Sequence, residues 1–207
     1  MDYTTLAGSK STEGSLKYWV NHSILPVGEI LSDAQNEVYS RLRVREMRAS
    51  APLTIAIGTS SLPLPSGFLD PISLKDQYKC DVELRDPEVL DEMRGFDASG
   101  ALIAGPISSY AIFGENLQFD MQSNVATTFS LIFYQQPAAL SPTNTSNFLC
   151  TRYSQLFRAA LLKHAYAFRQ AWDESTRYAQ ELEKQFQAIE VMDDLSMRGL
   201  NNPEEYA

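Results

Sequence analysis

The sequence predicts an α+β fold that is mainly helical. We expect a helical bundle from N- and C-terminal helices, an inserted small antiparallel β domain and an extended C-terminal tail. Three observations predict it. Apolar residues recur every three or four positions near both ends of the chain, the period of a helix that buries one face. The period falls to two after Arg48 and returns to helical at Asn147. The helical period is lost after Met192.

These changes of period divide the 207 residues into parts of one predicted domain, 1–207. Residues 12–48 and 147–192 are assigned to the bundle, 50–136 to the β-rich insert and 193–207 to the tail. The insert therefore separates two halves of one helical structure.

The first helices are predicted from caps as well as from period. Residues 1–11 are polar and rich in Ser and Thr, which is typical of a loosely held arm. A short helix is expected over Thr12–His22, with Thr12 as its N-cap. The next helix is expected over Pro26–Arg43, because proline fits the first helical turn, where its missing N–H costs nothing.

Short segments with strand propensity follow. Leu53–Ile57 alternates apolar and small or polar residues, and the prolines of Leu62–Pro65 place the next strand at a sheet edge. Thr127–Tyr134 is rich in β-branched and aromatic residues and is the strongest strand signal in the chain. The remaining predicted elements are strands at Ile72–Leu74 and Lys79–Leu84, a short helix at Pro87–Arg94, and a hairpin of Tyr110–Phe113 with Leu117–Met121.

The C-terminal part predicts two consecutive helices. The apolar face that starts near Asn147 shifts register between Phe168 and Ser175, and Asp173 is a suitable N-cap for the second helix. Helices with so wide an apolar stripe need a partner, because most helix stability comes from packing that face. We expect the partner to be the helix that starts at Pro26.

Composition excludes several classes of function. The net charge of −9 disfavours a protein that coats DNA, and two distant cysteines exclude a disulfide scaffold or a Cys-based zinc site. No apolar run is long enough to span a membrane, and we expect a chain made without a signal peptide.

Charge is distributed unevenly. Residues 137–172 hold four bases and no acid, whereas the chain from Asp173 onward holds nine acids and three bases. Two explanations remain open: attraction between neighbouring helices of one chain, or complementary faces on adjacent copies in a ring.

Active-site chemistry is not visible in the sequence. No nucleotide-binding, zinc-protease, hydrolase or calcium-loop motif is present. His164 has the position of a structural bundle histidine, and fourteen residues separate it from Cys150. The carboxylates between Asp76 and Glu92 fit no ligand spacing and indicate a solvated acidic loop. We therefore predict no enzyme, no catalytic or metal-binding residues and no cofactor.

Several short segments resemble the bacteriophage head–tail adaptor proteins, which dock beneath the portal. They are Arg41–Met47, Leu62–Leu69, Phe129–Tyr134, Asn144–Phe157 and Asp173–Phe186. The resemblance spans nearly the whole chain. It rests on the positions of apolar residues and on short motifs, not on a catalytic signature.

The resemblance implies a structural virion protein at the head–tail junction, or neck, assembled in the host cytoplasm. It implies a ring of twelve copies that docks under the portal protein, links capsid to tail, binds a downstream tail or nozzle protein and continues the DNA channel. Genomic DNA would pass without sequence recognition, and no membrane is involved. The alternative from another class is a cellular binding module with a β-rich ligand-holding insert.

Two groups of residues are predicted to form the portal or subunit interface. The first is the arginine group Arg41, Arg43, Arg45 and Arg48, of which residues 41, 45 and 48 share one face in a helix. The second lies in the tail, which we expect to order on the portal because it has too few apolar groups to fold alone. Its members are Leu195, Met197, Leu200 and Tyr206.

Overall fold

The computed structural model describes residues 1–201, and the side chains of residues 1–193. The chain divides into two compact units. The helical unit comprises Met1–Glu46 and the chain from Pro137 onward, and the β unit is Met47–Gln136.

The helices, in chain order, are α1 (Tyr3–Leu6), α2 (Leu16–Trp19), α3 (Val27–Arg41), α4 (Pro87–Met93), α5 (Phe148–Thr151), α6 (Ser154–Phe168) and α7 (Trp172–Asn201). A 3-10 turn covers Arg45–Met47. The strands are β1 (Arg48–Ile55), β2 (Ser61–Pro63), β3 (Phe68–Lys75), β4 (Asp81–Leu84), β5 (Ala104–Gly105), β6 (Ser109–Phe113), β7 (Asn116–Phe119), β8 (Gln122–Ser123) and β9 (Thr127–Gln135).

In the helical unit, α6 and α7 form an antiparallel pair and α3 packs on α6. The turn between α6 and α7 is tight, with Gln170 in the left-handed region at φ 59. Side chains at helical spacing supply the core, which accounts for the apolar stripes of the sequence. The buried residues include Ile30, Leu31, Ala34 and Val38 of α3, Leu156, Phe157, Ala160 and Leu161 of α6, and Leu182 and Phe186 of α7.

The segment that leads back from the β unit is fixed to the helices by amide side chains. Buried Gln35 accepts a hydrogen bond from the backbone N–H of Leu140 at 2.7 Å. Asn147 caps α5 and donates from Nδ2 to the hydroxyl of Tyr39 at 3.0 Å. These bonds satisfy polar groups that burial would otherwise leave unpaired.

The β unit is built on one seven-stranded sheet of order β1-β9-β3-β4-β6-β7-β2. The pairs are antiparallel except β4–β6, which is parallel. The terminal strands β1 and β2 come near each other, so the sheet almost closes on itself. Its buried core includes Phe129, Leu131 and Phe133 of β9 and Leu117 and Phe119 of β7.

The prediction of a mainly helical fold with a small antiparallel insert is therefore wrong. The sheet is large and mixed, and its longest strand, β9, pairs with β1 on one side and β3 on the other. Short strands such as β2 and β4 look like isolated fragments in the sequence. Only pairing between residues far apart in the chain joins them into one sheet.

Three local expectations also need correction. The 1–11 arm is not loose: it contains α1, Leu6 is fully buried, and the N–H of Tyr3 donates to the carbonyl of Thr145. The helix expected over 12–22 is reduced to α2, which Ser15 caps. The tail is not extended from residue 193, because α7 continues to Asn201.

Candidate interaction surfaces

Arg41, the last residue of α3, is held by the C-terminal helix. Its two terminal nitrogens donate to the two carboxylate oxygens of Glu183 at 2.8 and 3.0 Å. Its guanidinium carbon lies 4.2 Å from the centre of the Phe186 ring. The pair is almost half exposed, so its effect on stability is small, but its bidentate geometry fixes the orientation of α7 against α3.

The other three arginines do not extend a helical face, because α3 ends at Arg41. Arg43 donates to the carbonyls of Tyr39 and Leu42 and so caps the end of α3. Arg48 begins β1, in the β unit, with its guanidinium carbon 5.8 Å from the ring centre of Tyr134. The premise of three guanidinium groups on one helical face is thus wrong, while an interface role for these residues stays a prediction.

Glu46 is the centre of a charged cluster that the sequence analysis missed. Its carboxylate accepts from the hydroxyl of Tyr153 at 3.1 Å, from Arg45 at 3.4 Å, and forms an ion pair with Arg152. Burial opposes ionisation, but hydrogen bonds from its own backbone, Tyr153 and Arg45, together with the charge of Arg152, set the pKa of Glu46 below its ordinary value. Burial and the neighbouring Glu46 raise the pKa of Tyr153 to about 12.

This cluster joins two segments that carried the resemblance, Arg41–Met47 and the stretch that contains Tyr153. The sequence contains no signal that the two segments meet. The excess of bases in 137–172 marks Arg152 as a candidate for an ion pair with a distant acid but does not identify Glu46 as that acid.

A cavity of about 360 Å³ opens beside the Glu46 cluster, between the start of α6 and the later turns of α7. Half-exposed guanidinium groups of Arg45 and Arg152 stand at its wall. Its other lining residues are Tyr153, Gln155, Leu156, Gln185, Ala188, Ile189, Met192 and Asp193. A lining that combines apolar and charged side chains is typical of a site that takes a protein side chain or small ligand.

Near this cavity α7 extends beyond the start of α6. The hydroxyl of Ser175 donates to the carbonyl of Lys163 near the end of α6, so later residues of α7 lie toward the start of α6. Met192 is 72% exposed. The side chains of the predicted interface residues Leu195, Met197 and Leu200 lie outside the described part of the structure, as does Tyr206 altogether.

His164 lies in an ion cluster between α3 and α6. Its Nε2 is 2.8 Å from one carboxylate oxygen of Glu37, and the other oxygen contacts the amine of Lys163. Cys150 is buried in a different helix, α5. Within the residues described, no group of three or more His, Cys, Asp or Glu side chains is placed to hold a metal ion.

The Glu37 cluster predicts a pH-dependent stability. Burial raises the pKa of Glu37, but hydrogen bonds from Lys163 and His164 outweigh it and the pKa lies below the ordinary 4.5. A lowered carboxylate pKa contributes stability above the ordinary value and loses it as pH falls through the lowered value. We therefore expect Glu37→Gln to reduce the free energy of unfolding by about 1–3 kcal/mol at neutral pH, because it removes a charged acceptor.

Tryptophan emission in urea measures this effect, since Trp19 and Trp172 both belong to the helical unit. The difference between variant and native chain should shrink as pH falls below about 4. Asp33→Asn, an exposed change on the same helix beyond its first turn, is the matched control and should leave stability nearly unaltered. A difference that stays constant down to acid pH would contradict the assignment.

Among the residues whose side chains are described, the four bases of 137–172 contact groups outside α7. Arg158 lies over the ring of Trp19 at 4.6 Å, and Arg169 donates to the carbonyl of Val20. Lys163 and Arg152 contact Glu37 and Glu46. Of the two explanations for the uneven charge, attraction between neighbouring helices therefore involves α3 and the N-terminal segments rather than the acids of α7.

Comparison with known proteins gives one family. A family model described as SU10 adaptor protein matches residues 13–203. The match runs through both the helical and the β unit. No curated protein matches the chain. Among the helices of the described residues, none combines the length and apolar character needed to cross a membrane.

Proposed function

The chain belongs to the SU10 adaptor protein family, a family of bacteriophage head–tail adaptors, and we propose that it forms the ring that joins portal to tail. Membership implies a structural protein of the virion rather than an enzyme, one that interacts with portal and tail proteins. The proposed ring contains twelve copies, docks beneath the portal and continues the DNA channel.

The observation that carries the proposal is the family match over residues 13–203, which includes both units. The excess of exposed acids over bases on α7 supports a ring, because such a helix can meet a more basic surface on the next copy. The overall charge of −9 supports a channel wall to which phosphates do not adhere.

The portal contact is proposed at the end of the helical unit that carries the Glu46 cluster and the later turns of α7. Val191 and Met192 are adjacent exposed apolar side chains on α7, and Met192 also lines the cavity, which suits a surface that another protein covers. Arg45 and Arg152 beside them can bind carboxylates or main-chain carbonyls of a partner in addition to Glu46. We assign the predicted residues Leu195, Met197, Leu200 and Tyr206 to the same contact.

Mixing the purified chain with its portal and imaging the product by cryo-electron microscopy tests the proposal. The expected product is a twelve-fold ring under the portal, with a continuous central channel. A chain that stays monomeric and does not bind portal would favour the alternative, a binding module with a β-rich ligand-holding insert.

Charge reversal at Arg45 and Arg48 tests the arginine group in the same assay. We expect Arg45→Glu with Arg48→Glu to weaken ring formation or docking, most strongly at low salt, where exposed charges are least screened. The matched control is Lys10→Glu with Lys17→Glu, which makes an equal change of net charge in the N-terminal segment. Equal assembly of the arginine variant and the native chain across salt concentrations would remove these residues from the interface.

A further inference from the structure

One short helix of the β unit, α4, has a fixed position and an exposed outer side. Its buried side chain is Leu90, which is 1% exposed, and the helix packs on β6. Arg94, just after the last residue of α4, donates from Nε and Nη2 to the carbonyl of Phe119 at 3.2 and 3.0 Å. The helix is thus held at its middle and at its end, so its outer side chains are presented in a defined position.

The outer side of α4 combines apolar groups with carboxylates. Val89 and Met93, which are 41% and 48% exposed, lie four residues apart and so on one side of the helix. Glu88 and Glu92 have the same spacing and form a neighbouring exposed row, which we call the α4 carboxylate row. Two like charges at this spacing repel each other, and a base from outside the helix would relieve the repulsion.

The bases nearest to the α4 carboxylate row in sequence are already paired. Arg85 contacts Glu83, and Arg94 contacts Asp91. Among the side chains that the structure describes, neither carboxylate of the row has an ion pair. The stretch 86–94 holds four acids and one base, so the negative charge lies on the helix itself and not elsewhere in the β unit.

A groove in the helical unit presents the opposite charge. It has a volume of about 520 Å³, and Arg158 of α6 stands at its wall with its guanidinium carbon 4.6 Å from the centre of the Trp19 ring. Among the described residues that line it, Arg158 is the one with a charged side chain, and we call it the Arg158 groove. Its other lining residues are Met1, Thr5, Gly14, Cys150, Thr151, Ser154 and Gln155.

The charge of Arg158 is available to a partner. The side chain is exposed, and among the described residues it contacts the Trp19 ring rather than a carboxylate. Residues 1–20, which supply part of the lining, hold two acids and two bases and add no net charge. One of these acids, Asp2, already caps α1. Because α6 begins at Ser154 without a side-chain cap, the N–H groups of its first turn add a partial positive charge.

The two surfaces match in charge and in polarity. The α4 carboxylate row can accept from the guanidinium of Arg158 in charge-assisted hydrogen bonds, which are the stronger class. The apolar side of α4 can cover Trp19, and tryptophan and arginine are among the residues that most often dominate binding at protein interfaces. Since the groove and α4 are different surfaces of one chain, their pairing between copies is a heterologous contact, which repeats until a ring closes.

We propose that α4 of one copy docks in the Arg158 groove of the next copy. The carboxylates of Glu88 and Glu92 lie at the guanidinium of Arg158, and Val89 and Met93 cover the apolar wall of the groove. The inference rests on the proposed ring and assigns a contact between its subunits. It does not involve the portal contact proposed at the Glu46 cluster.

The test reverses the charge of each surface in the full chain: Arg158→Glu in one variant, and Glu88→Arg with Glu92→Arg in the other. Either change sets like charges against each other, so we expect each variant alone to associate at least about tenfold more weakly than the native chain. An equimolar mixture should associate within about threefold of the native chain, because the two reversed surfaces attract each other and the two native surfaces remain. Sedimentation with and without purified portal measures the association.

Arg177→Glu is the matched control, since this arginine is also exposed and also lies over an aromatic ring, that of Tyr178, at 5.8 Å. It should leave association within about twofold of the native value. Restoration by mixing separates a contact between copies from a folding defect, because a misfolded variant would stay weak in the mixture. The exposed α4 changes provide a second variant if Arg158→Glu lowers the melting temperature.

Native-like association of either reversed variant, or a mixture as weak as its components, overturns the inference while the ring itself stands. Intact rings of Arg158→Glu that no longer bind portal would give the groove to the portal and also overturn it. A native chain that does not associate even on the portal would instead remove the proposed ring.

Discussion

A chain that ends at Asp193 is expected to lose portal docking while it keeps the melting temperature of the intact protein. The cut leaves in place the buried residues of α7, Leu182 and Phe186, and the Arg41–Glu183 pair. The stability of the helical unit therefore stays nearly unchanged. The removed residues include Leu195 and Met197, which we propose as anchors, and loss of a few anchors commonly removes most binding free energy.

Two measurements decide this prediction: the melting temperature and the fraction of chain that sediments with purified portal. We expect the bound fraction to fall at least about tenfold, which corresponds to a loss of about 1.4 kcal/mol or more. A chain that lacks only residues 202–207 separates the contribution of the last residues from that of the α7 continuation. A fall of many degrees in melting temperature would show instead that residues after 193 belong to the core of the helical unit. Undiminished docking would place the portal contact elsewhere.

Phe186→Ala is expected to give the largest loss of stability, about 3–5 kcal/mol. The Phe186 ring is 2% exposed, packs where α7 meets the bundle and also lies beneath the guanidinium of Arg41. Its removal leaves a cavity and takes away the surface on which the Arg41–Glu183 pair rests. Urea unfolding followed by tryptophan emission reports on this unit, because the β unit contains no tryptophan.

Phe168→Ala provides the matched control, since this ring at the end of α6 is 52% exposed. It should cost well under about 1 kcal/mol, as is usual for exposed positions. Equal losses in the two variants would mean that α7 does not depend on burial of Phe186. We also expect Phe186→Ala to weaken portal binding. If α7 packs less firmly on the helical unit, the residues after Asp193 are no longer held in position for the portal contact.

The order of the helices and strands could be predicted from the sequence, because local signals determine it. Helical period and strand propensity gave α3 and β9 with boundaries within two residues of those observed, whereas β1 begins five residues before the predicted strand and the helix expected from Asn147 is divided into α5 and α6. The edge position of β2 followed from its prolines. The absence of catalytic motifs and the resemblance to head–tail adaptors also came from the sequence, and the family match confirms the family.

Tertiary structure decided what depends on residues distant in the chain. One large mixed sheet replaces the small antiparallel insert, because strand pairing, unlike helical hydrogen bonding, joins segments such as β1 and β9 across some eighty residues. In the same way, the ion-pair and hydrogen-bond partners of a carboxylate can lie far away in the chain, and the residues around it do not identify them. Glu46 meets Arg152 and Tyr153, while Glu37 meets Lys163 and His164. Periodicity is a property of neighbouring residues and can be read from the sequence. Pairing between distant residues depends on how the whole chain packs and is visible only in the tertiary structure.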